Sequence, residues 1–338
     1  MKGVVFKGNK KLEIKSFPDP TPSIDEVVVE IKASGMCGSD LHTYRSEIPS
    51  ITIAGHEPCG VIVARGNSIP NHIAPLGARV MVHHYDGCRK CSNCLGGWTQ
   101  LCDDGSTVFG RTDHGAHAHY MKVPLRTLVE LPDTLSFIEG AAISCGTGTA
   151  YGAIKRISMQ AGSKVAVFGQ GPVGLSVTML GVAMGVEIIA IDIDAGRLKA
   201  AGKFGATTLI NSSEEDPVLR IKELTRGLGV DYAIECSGNP IASVAAVKSA
   251  KKWGTVCLVG IGKSATFDIY NDIIHKQLTL MGSWTFSISG QSDCAKFVAE
   301  KQLPIEELFT NKFTLEEAEK AYNLFDTKAT GKMVLLPS

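Results

Sequence analysis

Two patterns of apolar and polar positions divide the chain. Over roughly the first 140 residues, short valine- and isoleucine-rich runs at 26–32, 60–64 and 78–83 are bounded by Gly, Pro and Asn, as strands are. The opening Met-Lys-Gly-Val-Val-Phe reads as a further strand. It carries a charge but lacks the apolar core and cleavage site of a signal peptide. The pattern changes near Ser163. From there to about Gly282, apolar runs at 164–168, 187–191, 232–235 and 256–259 alternate with helical segments such as 172–184 and 217–226. Both of those helices carry proline near the first turn, where a missing N–H costs nothing. Such alternation predicts an α/β architecture, a parallel sheet covered on both faces. Beyond it, 315–324 predicts a helix and 332–336 a strand, which could pack back on the first domain.

Composition narrows the class. A length of 338 residues suits two domains, and 44% hydrophobic residues can fill two cores. Lys+Arg and Asp+Glu each number 34, so no electrostatic footprint for nucleic acid or an anionic membrane is expected. No apolar run is long enough to span a bilayer. Ten cysteines without a secretion signal point to reduced thiols and metal binding before disulfides. The expectation is a soluble cytoplasmic protein with neither a nucleic-acid nor a membrane partner.

Three motifs carry chemistry. Cys37-Gly-Ser39-Asp40-Leu-His42, read with Gly55-His56-Glu57, offers zinc's preferred Cys and His ligands beside a hydroxyl and carboxylates. A catalytic zinc needs a third protein ligand, for which Cys145 is the candidate, and one open position. Cys88, Cys91, Cys94 and Cys102 lie within fifteen residues. Four thiolates so spaced fit a closed tetrahedral zinc site with a structural role, an iron–sulfur cluster being the rival. Gly169-Gln-Gly171-Pro-Val-Gly174 directly follows the 164–168 run and opens a helix, a context in which backbone can approach a pyrophosphate. Asp192, 23 residues after Gly169, ends the next apolar run, where an acid can bind the ribose hydroxyls of NAD and repel the extra phosphate of NADP. Asp194 is its close competitor. His117 and His119 alternate along 116–123 and read as one wet strand face rather than a metal pair. His83 and His84 precede the four-cysteine loop and read as near a pocket; His72 and His275 read as structural or solvated.

Together these residues resemble, from end to end, the zinc-containing medium-chain alcohol dehydrogenases. The resemblance implies a GroES-like β-rich catalytic domain at 1–148 with a structural-zinc lobe at 88–102. It implies a Rossmann doubly wound parallel-sheet NAD-binding domain at 149–283 and a segment at 284–338 returning to the catalytic domain. It places Cys37, His56 and Cys145 on a catalytic zinc, with Glu57 behind the metal and able to enter its shell, and Asp40 orienting His56. Cys88, Cys91, Cys94 and Cys102 hold a second zinc, making two per chain. Gly169, Gly171, Val173 and Gly174 match the dinucleotide loop, Asp192 the ribose acid and Arg197 a basic residue beside it. Thr149 matches a threonine near the nicotinamide, and Lys332 a basic residue reaching the active-site acid or the pyrophosphate. Ser39 and His42 match a proton relay, with serine where many members have threonine. Ser-Cys145-Gly-Thr is closer to the alcohol and aldehyde type than to the Glu-Pro of polyol and threonine dehydrogenases. The implied activity is reversible NAD-dependent oxidation of an alcohol to an aldehyde or ketone, by a homodimer or homotetramer. The rivals are a polyol or amino-alcohol dehydrogenase on the same fold, a non-catalytic NAD-binding redox sensor, and a zinc-ribbon nucleic-acid binder, which the balanced charge disfavours.

Overall fold

The strand Glu26–Met36 is the spine of the N-terminal unit. Its near-continuous run of β-branched residues is the pattern of a strand covered on both faces, and Val27, Val29 and Ile31 are fully buried. In the computed structural model, which describes residues 1–327 and 331–337, it lies within a seven-stranded sheet. The order is Phe309–Thr314, Lys332–Leu336, Glu26–Met36, Glu57–Arg65, Arg79–Val82 and Leu128–Glu130, with Tyr120–Pro124 pairing the first half of Glu26–Met36. Register then places chemistry. Met333 lies opposite Met36 and Glu57 opposite Gly35, so Lys332 and Glu57 open their strands on either side of the residues leading into Cys37. A Cβ on Gly35 would overlap the Glu57 carboxylate, so only glycine fits this crossing.

The chain forms two compact units, one comprising 1–148 with 287–338 and the other Thr149–Phe286. The second unit holds a six-stranded, all-parallel sheet in the order Thr208–Asn211, Glu187–Asp192, Lys164–Phe168, Val230–Glu235, Ala250–Leu258, Thr279–Gly282. This is the Rossmann order, in which the chain leaves the first strand in both directions. Helices Pro172–Ala183, Ala195–Lys203, Pro217–Leu224 and Pro240–Ser249 make the crossovers. Three of them begin with proline, and Asp194, Asp216 and Asn239 cap three of the four.

Local differences from the sequence reading have physical causes. The fifth strand starts at Ala250 rather than 256, because the polar Lys251 that hides its beginning pairs with Asp231 across the sheet. The helix expected at 315–324 starts as a 3₁₀ turn, Leu315–Glu317, held by a Thr314–Glu317 capping box, and becomes α-helical only over Ala318–Asp326. The wet histidine face is overturned. His117 is fully buried between Ser34 and Tyr322, at 2.7 and 2.8 Å, whereas His119 stays partly exposed and accepts a hydrogen bond from the Lys2 amide. Its neighbours Ala116 and Ala118 are also buried, so this segment is covered on both faces and alternation carries no polarity signal. His83 is buried against Gln291, while His72 and His275 are exposed.

Burial pushes the pKa of both His83 and His117 down to about 4, the Gln291 contact opposing it at His83 and the charge of Asp40 at His117. An unfolded histidine takes up its proton near pH 6.5. Between these values the unfolded chain binds more protons, so the stability contribution is complete above about pH 6.5, falls with falling pH and levels off below about pH 4. Urea unfolding across this window should show a loss of up to about 3 kcal/mol per histidine, and His83→Gln should remove one histidine's share. A variant profile superimposable on wild type would show that His83 titrates normally in the fold.

Candidate active site and metal centres

The first ligand set assembles where three segments end. Cys37 follows the strand Glu26–Met36; His56 and Glu57 lie where the strand Glu57–Arg65 begins; Cys145 sits between the helices Phe137–Ile143 and Gly146–Arg156. The donor atoms of Cys37, His56, Glu57 and Cys145 all fall within 4.8 Å of one another. Cys37 Sγ and Cys145 Sγ are 3.9 Å apart, and Cys145 Sγ is 3.5 Å from His56 Nε2. Zinc bound tetrahedrally at ordinary bond lengths requires edges of about 3.8 Å between sulfurs and about 3.6 Å from sulfur to nitrogen. The residues present therefore fit zinc without rearrangement.

Local chemistry prepares each donor. Asp40 Oδ1 lies 2.8 Å from His56 Nδ1, an arrangement that keeps the ring proton on Nδ1 and turns the Nε2 lone pair toward the sulfurs. Asp40 Oδ2 also accepts the Cys37 amide at 2.9 Å, so one buried carboxylate orients two ligands. A hydrogen bond from Cys145 holds the Cys37 thiol well below its ordinary range against burial, with help from His56 and Lys332. The same bond, then burial, pushes Cys145 well above it. Without a cation the two sulfurs share one proton, and a metal displaces it.

Glu57 stands behind the set and is fully buried. Burial lifts its pKa to about 7; Lys332 opposes the rise and the Cys37 thiolate adds to it. Lys332, itself 2% exposed, pairs with Glu57 Oε2 and donates to Met36 O at 3.3 Å. Glu57 Oε1 has no partner among the described residues. An orphaned, buried carboxylate oxygen beside two thiols and an imidazole is an atom suited to a cation. Of the two partners that the resemblance offers Lys332, the active-site acid and the pyrophosphate, the structure gives it Glu57, because the register of its strand delivers it to the ligand end of the sheet.

Ser39 stands at the N-cap position of the short helix Asp40–Arg45 without a capping bond from its side chain, and its hydroxyl lies 3.3 Å from Cys37 Sγ and 3.4 Å from His56 Nε2. His42 lies on the exposed side of that helix. Two further neighbours are His84, which the sequence places near a pocket, and Tyr85, to which it assigns no role. The His84 ring lies tilted against His56 at 5.0 Å and against Tyr85 at 4.3 Å, with Nδ1 3.0 Å from Ser144 O. The signal for Tyr85 is the His-His-Tyr run that follows the strand Arg79–Val82.

The second ligand set is local. Cys88, Cys91, Cys94 and Cys102 bring four Sγ atoms within 4.8 Å. Amides of Cys88, Cys91 and Cys94 donate to Cys102, Cys88 and Cys91 Sγ at 3.3, 3.4 and 3.5 Å, an environment that favours thiolates. All ten cysteines are free. A Cβ on Gly87 would overlap Cys94 Sγ, which explains the glycine opening the loop.

In the second unit the three loop glycines have separate duties. Gly169 turns the chain at φ +87°, and a Cβ on Gly174 would overlap Gly169 O, so the helix can close onto the turn. A Cβ on Gly171 would meet nothing within 4 Å; that space lies before the uncapped N-terminus of the twelve-residue helix Pro172–Ala183, a cradle fit for pyrophosphate. Val173 is in that first turn. Asp192 accepts the amides of Gln170, Ile193 and Asp194 at 2.6, 2.8 and 3.0 Å, with Arg197 Nη1 at 3.9 Å from Oδ2. Its competitor Asp194 is occupied as the cap of Ala195–Lys203, accepting the Arg197 amide. Thr149 is buried in the helix Gly146–Arg156.

The pattern of an alcohol dehydrogenase GroES-like domain matches residues 23–133, and that of a zinc-binding dehydrogenase matches residues 172–301. The chain is 35% identical to the uncharacterized zinc-type alcohol dehydrogenase-like protein YphC of Escherichia coli (strain K12), over 99% of this chain and 98% of that one. The chain belongs to the zinc-containing medium-chain dehydrogenase family. This dehydrogenase is also 32% identical to sorbitol dehydrogenase of Bacillus subtilis (strain 168), over 95% and 92% of the two chains. Among solved structures, alcohol dehydrogenase TADH from Thermus sp. ATN1 matches with a TM-score of 0.92 at 29% identity, covering 99% of each chain. Among the described residues no helix is long and apolar enough to cross a membrane.

Two ligand sets should hold two zinc ions per chain. Metal analysis of Cys145→Ser should show one zinc lost from a folded protein. Cys94→Ser should lose the other and lower the thermal midpoint or the yield, since a closed site supplies folding energy. One zinc in the wild type, or iron, would refute the pairing.

Proposed function

We propose that this dehydrogenase oxidises an alcohol to an aldehyde or ketone, reversibly, with NAD as hydride acceptor. The observation that carries the reading is the Cys37–His56–Cys145 donor set at tetrahedral spacing, with the Ser39 hydroxyl on its rim. Zinc held there would act as a Lewis acid on the alcohol oxygen and lower its pKa; bound NAD would accept the hydride. The protein's own residues do the rest. Asp40 keeps His56 in the ligating tautomer. Lys332 restrains Glu57 behind the sulfurs. Ser39 takes the alcohol proton and passes it outward, with the exposed His42 as its exit to water. Gly171 admits the pyrophosphate, and Asp192 receives the adenosine ribose, its carboxylate already aligned by three amides. Cys145 favours simple alcohols; the likeness to sorbitol dehydrogenase supports polyols as the second reading.

Steady-state kinetics over simple alcohols and polyols with both cofactors should give the higher kcat/KM with NAD, and Asp192→Gly should narrow the gap mainly by weakening NAD. A wild-type preference for NADP would show that Asp192 does not sit at the ribose. A higher kcat/KM on sorbitol than on any simple alcohol would select the second reading.

Proton transfer by a placed group is typically worth about 10²–10⁴-fold, so Ser39→Ala should cost most of kcat. His42→Gln should cost less, since water can replace the outer end, and its deficit should shrink as pH rises. Profiles of kcat against pH that stay flat and equal to wild type in both variants, with zinc and NAD still bound, would remove the relay.

A further inference from the structure

One buried polar cluster lies outside both ligand sets and takes no part in the steps above. Ser34, His117 and Tyr322 are all fully buried. They come from the strand Glu26–Met36, the segment before the strand Tyr120–Pro124, and the helix Ala318–Asp326. Ser34 Oγ is 2.7 Å from His117 Nδ1, and Tyr322 Oη is 2.8 Å from His117 Nε2. The Tyr322 ring is fixed by Phe6 at 4.9 Å and Tyr44 at 5.2 Å between centroids. Burying three polar groups costs free energy that an apolar trio of the same shape would avoid, so the cluster's polarity calls for a reason beyond packing.

One feature aims the cluster at His56. The segment 115–117 runs along 53–55: Gly115, Ala116 and His117 amides donate to Ile53, Gly55 and Ala54 carbonyls, each at 2.8 Å. Gly55, at φ +89°, immediately precedes His56, and a Cβ there would overlap the His117 ring. The imidazole is thus packed on the backbone that delivers the ligand. On the ring's other edge Nε2 meets the Tyr322 hydroxyl at 2.8 Å, so the phenol holds the imidazole in place against Gly55.

From this geometry we infer that His117 and the Tyr322 that holds it are positioning residues for the catalytic-site metal, bracing Gly55 and so setting the direction of the His56 Nε2 lone pair. The inference rests on the reading of Cys37, His56 and Cys145 as that metal's ligands. Tyr322→Phe removes one hydroxyl and keeps the ring. Partners of metal-ligating histidines are worth about 10–100-fold in affinity, and Tyr322 acts from farther out, through His117, so a loss near the lower end is expected.

Cobalt(II) titration of metal-stripped protein, followed by visible absorption and chelator competition, reads the effect directly. Tyr322→Phe should bind cobalt about tenfold more weakly at the Cys37–His56–Cys145 site, with shifted ligand-field bands there and unchanged binding at the four-cysteine lobe. His117→Gln should shift the same bands. A folded Tyr322→Phe with wild-type bands and affinity would overturn the inference, even if its thermal midpoint had dropped; should that variant not fold, His117→Gln decides by the same criterion. Wild-type protein that takes up cobalt only at the four-cysteine lobe would instead overturn the ligand assignment itself.

Discussion

Much of the N-terminal unit depends on one buried ion pair. Glu57 and Lys332 are 0% and 2% exposed, and either charge alone at that depth would carry a desolvation penalty of several kcal/mol. The pair is possible only because the strand Lys332–Leu336 lies beside Glu26–Met36, which lies beside Glu57–Arg65. Gly35 lets the middle strand pass the carboxylate. The ion pair thus fixes the edge on which the C-terminal segment docks and the depth of the acid behind the sulfurs.

The surrounding charges follow the same logic. Cys37 as thiolate and the carboxylates of Asp40 and Glu57 sit close together, answered by Lys332 and by a His56 whose pKa Asp40 and Cys37 raise well above the ordinary value despite burial. The bond to Cys37 and burial keep the proton on Cys145. The set is electrostatically unfinished, and a divalent cation completes it; at the four-cysteine lobe, backbone amides prepare the sulfurs instead.

What the sequence revealed depends on how far each interaction reaches along the chain. The four cysteines and the glycine loop are local: their spacing alone places their atoms, so they were legible, as was the alternation that builds the parallel sheet. Cys145 lies 108 residues from Cys37 and was found by residue type and resemblance. His117 was misread because its polarity is satisfied by Tyr322, 205 residues away, a distance over which alternation conveys nothing. Lys332 was seen as functional but given a partner too broadly, since only strand register selects Glu57. Asp194 was separated from Asp192 by a capping bond, which periodicity does not report.

The N-terminal unit is closed by residues made after the whole of the second unit. Its first 148 residues emerge before the second unit, whose residues 149–286 are contiguous and can fold while the remainder is still being made. At synthesis rates of roughly 5–20 residues per second, Lys332 follows Glu57 by on the order of tens of seconds. During that interval the acid has no ammonium to meet, the strand Glu26–Met36 has one half-edge unpaired, and water retains access to both. Closing the sheet beside the ligands therefore waits for the strand Lys332–Leu336, which takes its place along Glu26–Met36.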